Sequence, residues 1–277
     1  MKTGPIFKTP EGREAILAVY DSILRRWPVP YQTRMIPTRH GETFALACGD
    51  AAAPPLALLH GSAANSAMWV GDAAIYSARY RMVALDLPGE PGKSQAVRSE
   101  LAGPAYAEWM HDVLDALGAD RVTLLGISLG GWMALKFATT HPERVEKLAL
   151  LCPGGVAPAR NLFMLKAIPF FFLGEWGAGK VLSMLNAGQP LDQETMRYSQ
   201  LINTHFSPRL QGGPLFSDEE LKRLAMPVLL VAGDKDPLLD TQNTALVCTD
   251  CCRVLLPTSF PRPVTSWRIW PAASCLS

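Results

Sequence analysis

The chain has 277 residues, of which 48% are hydrophobic and 18% charged, and its formal net charge is +1. Such a composition supports one sizeable domain, or a domain with an insertion, and excludes global disorder. No basic run argues for a nucleic-acid partner or an anionic membrane.

The first residues, MKTGPIFKTPEGREA, lack the apolar core of a secretory leader. The longest apolar run, AIPFFFLG from Ala167, is too short to span a bilayer, so a soluble cytoplasmic protein is expected. Residues 33–49, TRMIPTRHGETFALACG, read as an antiparallel hairpin. Buried strands are then predicted in PLALLHG (55–61), YRMVALDLPG (80–89), RVTLLGIS (121–128), KLALLCPGG (147–155) and PVLLVAGDKD (227–236). Their apolar residues do not alternate with polar ones, as expected of a parallel sheet covered on both faces. Helical patterns over 105–119 and 130–145 lie between them, which implies an α/β sheet with right-handed crossovers. Residues 156–224 interrupt the alternation with a helical insertion rich in Leu, Met and Phe. The expected organisation is a core from 1–155 and 225–277, with 156–224 as a helical cap. The cap serves equally as the core of a small lobe and as a lid over the sheet's C-terminal edge, where open α/β sheets bind ligands.

GISLGG (126–131) is a Gly-x-Ser-x-Gly pattern placed between a strand and a helix. A serine on so tight a turn has strained backbone angles, and small residues two before and two after let the turn close. Its hydroxyl is then exposed, and the following N–H points toward a developing oxyanion. Alone the pattern is weak; the strand–turn–helix context makes it specific.

On these residues the chain resembles the α/β-hydrolase superfamily, as a lidded serine carboxylesterase, over residues 33 to about 240. LLHGSAANSAMW (58–69) is similar to the family's oxyanion loop. The resemblance implies that the amides of Ser62 and Leu129 form the oxyanion hole, that Ser128 is the nucleophile and that His60 is structural. LLVAGDKDPLLD (229–240) resembles the family's acid loop, which makes Asp236 the orienting carboxylate and Asp234 the runner-up. Trp69, Phe170, Phe171 and Met184 are candidates for the substrate pocket. The substrate implied is a small carboxylic ester with apolar groups; thioesters, lactones, amides and carbon–carbon bonds stay open. No cofactor is expected. GKS (92–94) invites a nucleotide-binding reading, but that motif needs a glycine where Leu87 stands. CTDCC (248–252) has no second ligand pair at zinc-like spacing, so no metal is expected there.

The family's base is a histidine from a loop after the last strand. Here the histidines are His40, His60, His111, His141 and His205, and none follows Asp236. The segment in that place, LLPTSFPRPVTSWRIWPA (255–272), has no histidine, glycine or acid. From about residue 246 the tail has no period that would finish the domain, and it is expected to pack poorly. A reading frame slipped near Ala245 accounts for this. With GC-ending codons for Ser, Phe, Pro and Val and an AGN codon for Arg262, SFPRPVT (259–265) becomes Leu-Pro-Glu-x-Gly-His. Three readings stand: a serine hydrolase with an altered C-terminus, a non-catalytic relative that binds a small apolar ligand, and an enzyme that recruits His205 as base.

Overall fold

The computed structural model describes residues 5–158, 169–170, 174–185, 192–209, 212–232 and 254–255. Helix α1 (Pro10–Leu24) opens the fold. The Thr9 hydroxyl caps it by accepting from the Gly12 amide at 3.0 Å, and Pro10 occupies the first helical position, where a missing N–H loses nothing. Strands β1 (Tyr31–Thr38) and β2 (Gly41–Cys48) form the expected hairpin. Then follow β3 (Pro55–Leu59), α2 (Ala73–Ser77), β4 (Arg81–Leu85), α3 (Ala105–Leu117), β5 (Val122–Ile127), α4 (Leu129–Thr140) and β6 (Val145–Leu151). Within the insertion lie α5 (Gly174–Leu185), α6 (Gln193–His205) and α7 (Asp218–Leu221), and β7 (Val228–Val231) and β8 (Val254–Leu255) resume the sheet.

Among the described residues the sheet has eight strands in the order β1-β2-β4-β3-β5-β6-β7-β8. β2 meets both β1 and β4 antiparallel, and every later pairing is parallel. The unalternating apolar strands have a direct cause. Ala57, Leu59, Val83, Leu85 and Leu124 face a core shared with α3 and α4. Their neighbours Leu56, Leu58, Met82, Ala84 and Leu125 face a second core shared with α1, α2 and the turn Ser66–Trp69. Side chains alternate between faces and both faces are covered, so each strand must be apolar throughout.

Three expectations need correction. The strand read at 80–89 ends at Leu85, because Asp86 turns inward: its carboxylate accepts from the Tyr20 hydroxyl at 2.9 Å, the Ser66 amide at 2.8 Å and the Lys93 amide at 2.7 Å. The insertion is not helical throughout, since 206–209 and 212–217 run without helix. The third concerns the tail. Val254 and Leu255 form β8, in parallel register with Val228 and Leu229, so these two residues extend the sheet's edge. A β-branched residue and a leucine at the right register suffice for that pairing, whatever the composition around them.

Several contacts tie the insertion to the core. Ile202 and Phe206 of the α6 end pack with Ile6 and Ile16 beside α1. On the return, the Trp132 indole N–H donates to the Pro214 carbonyl at 3.0 Å and the Phe216 amide to the Gly155 carbonyl at 2.8 Å. No described helix is long and apolar enough to cross a membrane.

Candidate active site

Ser128 joins β5 to α4 with φ 51° and ψ −108°, a conformation that costs an L-residue on the order of 1–3 kcal/mol and survives only where its surroundings impose it. Those surroundings are glycine. A Cβ on Gly126 would lie 2.4 Å from the Gly130 carbonyl oxygen, and one on Gly130 would lie 2.2 Å from the Leu59 carbonyl oxygen. The helix start therefore presses directly on β5 and β3, and only hydrogen fits at both positions. The Ser128 amide donates to the Leu151 carbonyl at 3.0 Å, and its carbonyl accepts from the Trp132 amide at 2.9 Å. Ser128 itself is half-buried at the C-terminal edge of the sheet.

The β3 loop runs alongside. A Cβ on Gly61 would sit 3.9 Å from the Cβ of Ser128. Ser62, the next residue, is exposed, and Leu129 is the first residue of α4, where backbone N–H groups have no acceptor within the helix. The helix dipole adds positive potential at the same point. Two amide-bearing segments thus flank the serine.

His60 is fully buried, and both ring nitrogens are engaged. Nε2 accepts from the Leu87 amide at 2.9 Å, so the proton sits on Nδ1, which donates to the Gly61 carbonyl at 2.8 Å. Burial pushes its pKa below the usual histidine value. The ring is a brace between β3 and the loop after β4. The other four imidazoles are also placed: His40 pairs with Glu108 at 2.7 Å, and His111 and His141 lie 5.3 Å apart, ring to ring. The His205 ring sits against α1, its Nδ1 2.5 Å from where a Cβ on Gly12 would be.

Gly92, Lys93 and Ser94 cradle no phosphate. The Ser94 hydroxyl donates to the Asp86 carbonyl at 2.6 Å and accepts from the Phe44 amide, while the Lys93 ammonium pairs with Asp21.

Of the four pocket candidates, Trp69 is corrected. It is fully buried in the core with Tyr20 and Leu24, so its area serves packing rather than a ligand. Phe170 and Met184 are half-buried in the insertion. Phe171, Asp234 and Asp236 lie outside the described residues. Sequence reasoning missed Glu90, which is 2% exposed and accepts from the Ala63 amide at 2.7 Å. Its only signal was an acid inside the otherwise apolar and glycine-rich loop DLPGEPG.

A sheet of this order carrying a serine on a strained strand-to-helix turn defines an α/β hydrolase. The family model described as alpha/beta hydrolase fold matches residues 54–176. Carboxylesterase YbfK of Bacillus subtilis is 32% identical over 232 residues, covering 80% of this chain and 78% of its own length. The uncharacterized carboxylesterase nap of the same organism is 32% identical over 236 residues, covering 81% and 77%. Among solved structures, carboxylesterase CesB (YbfK) from B. subtilis superposes with a TM-score of 0.79 at 27% identity over 89% of this chain and 90% of its own. Naproxen esterase (carboxylesterase NP) from B. subtilis gives 0.78 at 29% identity over 91% and 93%. The chain belongs to the α/β-hydrolase family and is carboxylesterase-like.

Proposed function

We propose that the chain is a serine carboxylic ester hydrolase with Ser128 as nucleophile, acting on small esters with apolar groups. The observation that carries this reading is the strained turn at Ser128, held by glycine contacts to β3 and β5. The hydroxyl attacks the ester carbonyl; the amides of Leu129 and Ser62 receive the developing oxyanion; the acyl C–O bond breaks, the alcohol leaves with the serine's proton, and water then hydrolyses the acyl-serine to the acid and free Ser128. Asp236 is the orienting carboxylate. Residues 156–224 act as a lid, with Phe170 and Met184 toward the substrate. The names of the carboxylesterase relatives support the ester as substrate.

The deprotonation step is the weak one. No histidine follows Asp236; His40, His60, His111 and His141 have the partners given above, and His205 lies against α1. In a serine hydrolase, loss of the base costs on the order of 10⁶ in turnover, while oxyanion stabilisation and binding leave about 10³–10⁴ over water. We infer that this chain hydrolyses activated esters feebly. A reading frame slipped near Ala245 would account for the missing base, since residues 259–265 then read Leu-Pro-Glu-x-Gly-His for the codon choices given above.

The test is hydrolysis of p-nitrophenyl butyrate by three proteins: the chain as written, its Ser128→Ala variant, and the chain re-read in the other frame from Ala245 onward. The expected order is a strong rise in the re-read chain and loss of the residual rate in Ser128→Ala. High activity in the chain as written, abolished by Ser128→Ala, would refute the missing-base argument and make His205 the next residue to replace. A residual rate unaffected by Ser128→Ala would refute the nucleophile.

A further inference from the structure

Among the described residues, three non-glycine residues have positive φ, and they sit just beyond three neighbouring strands: Ala63 (53°) after β3, Ser128 (51°) after β5 and Cys152 (46°) after β6. Ser128 is explained by the turn it makes. Ala63 is not, because no glycine packing forces it. What it has instead is a buried acid. Its amide donates to Oε2 of Glu90 at 2.7 Å, and that side chain is 2% exposed.

We propose that Glu90 is the positioning residue of the Ser62–Ala63 loop: its ionised carboxylate holds Ala63 in the left-handed region and so aims the Ser62 amide. This rests on the reading of Ser62 as an oxyanion donor. An ionised carboxylate is acceptor-only and suits the Ala63 amide; a protonated one brings an O–H that needs an acceptor of its own and is the weaker acceptor. The remaining residues of the loop are secured independently. The Asn65 amide donates to the Pro91 carbonyl at 2.8 Å and meets the Tyr198 hydroxyl at 2.7 Å, and the Ser66 amide donates to Asp86. Glu90 therefore controls the one stretch nearest the serine and not the whole connection.

Glu90 faces charge from three directions. Arg98, whose Nε donates to the Gly89 carbonyl, comes from its own loop; Arg209, bound to the Tyr106 hydroxyl at 2.7 Å, comes from the segment after α6; and Tyr106 comes from α3. Burial raises the Glu90 pKa to about 7, against the lowering effects of the Ala63 amide, the two guanidinium groups and Ser62. The clamp is accordingly half-formed near neutral pH and complete above it, so the loop tightens as pH rises.

The test uses the full chain labelled with ¹⁵N-alanine, with the Ala63 amide assigned by its disappearance in Ala63→Gly. Its proton resonance should move with a midpoint near pH 7 and stay still in Glu90→Gln, whose amide cannot ionise. An Ala63 signal that does not titrate, or that titrates alike in Glu90→Gln, overturns the proposal. A second measurement separates the clamp from the oxyanion hole: the rate at which a fluorophosphonate labels Ser128 at about pH 8. We expect that rate to fall about ten- to a hundredfold in Glu90→Gln, since the donor is misaimed rather than deleted. A titrating Ala63 with unchanged labelling upholds the Glu90 clamp and removes Ser62 from the oxyanion hole. Circular dichroism of Glu90→Gln, matching the parent, guards against a folding defect.

Discussion

Gly130→Ala is the sharpest test of the turn that carries Ser128. A methyl carbon at residue 130 would lie 2.2 Å from the Leu59 carbonyl oxygen, 2.6 Å from the Leu59 carbonyl carbon and 2.6 Å from the His60 carbonyl oxygen. Ordinary contact begins near 3.4 Å, so the helix and β3 must separate by about an ångström. All three neighbours are backbone, and none can rotate away. Overpacking of this kind costs about 1–3 kcal/mol, and a clash with strand backbone belongs at the top of that range. Two other glycines calibrate the result. A Cβ on Gly131 would stand 3.0 Å from the Pro153 Cβ, a softer contact worth about 1 kcal/mol, and one on Gly154 would meet nothing nearer than 3.8 Å. Urea unfolding followed by tryptophan fluorescence and circular dichroism should rank the alanine variants in that order. Gly130→Ala should lose about 3 kcal/mol, or about 6–12 °C in melting temperature for a chain of this size, and Gly154→Ala less than about 0.5 kcal/mol. Leu59 and His60 lead straight into Gly61 and Ser62, so Gly130→Ala should also slow fluorophosphonate labelling. Gly130→Ala within about 1 kcal/mol of Gly154→Ala would refute the packing argument for the turn.

Ser128→Gly should raise stability by about 1–2 kcal/mol in thermal unfolding while abolishing fluorophosphonate labelling, because glycine adopts φ 51° without strain. Asp86→Ala should cost about 3–5 kcal/mol in urea unfolding, since it orphans the buried Tyr20 hydroxyl and the amides of Ser66 and Lys93 together. Glu90→Gln should gain stability over the parent as pH rises from about 4.5 to 7. In that window the native Glu90 holds a proton the unfolded chain has released, so the parent's stability falls with pH, by about 3 kcal/mol in all for a rise in pKa from 4.5 to about 7. A parent-minus-variant difference that is flat between about pH 4 and 8 would contradict the buried charge.

Much of this was legible in the sequence, and what was not has particular causes. The strands showed because two covered faces force continuous apolar runs, and the turn showed because its glycines answer to contacts with no alternative. Trp69 was misread because an aromatic after the His-Gly pair looks alike in a pocket and in a core; the deciding fact, α1 closing over it, depends on a helix whose Thr-Pro start was there to be noticed. Glu90 was missed because an acid in a loop is normally solvated, and only tertiary packing takes it out of water. Strand β8 was missed for the opposite reason: two residues are too short to show a period, and their pairing is supplied by β7.

On the proposed reading the catalytic apparatus divides into a part that stabilises negative charge and a part that creates the nucleophile, and the two are built differently. The first is backbone: the amides of Ser62 and Leu129, the start of α4, and a strained serine wedged by glycines. It is set by β3 and β5 at the centre of the sheet, where parallel neighbours on both sides fix it. The second is side chain: the Asp236 carboxylate, and an imidazole that no residue after Asp236 supplies. An altered C-terminus would leave the turn and its donors in place and remove the proton acceptor, which is why a feeble, Ser128-dependent rate is expected here rather than none. It also makes the Glu90 clamp open to measurement in this chain, since fluorophosphonate labelling reads Ser128 and its donors together, and a slow baseline still reports a further tenfold loss.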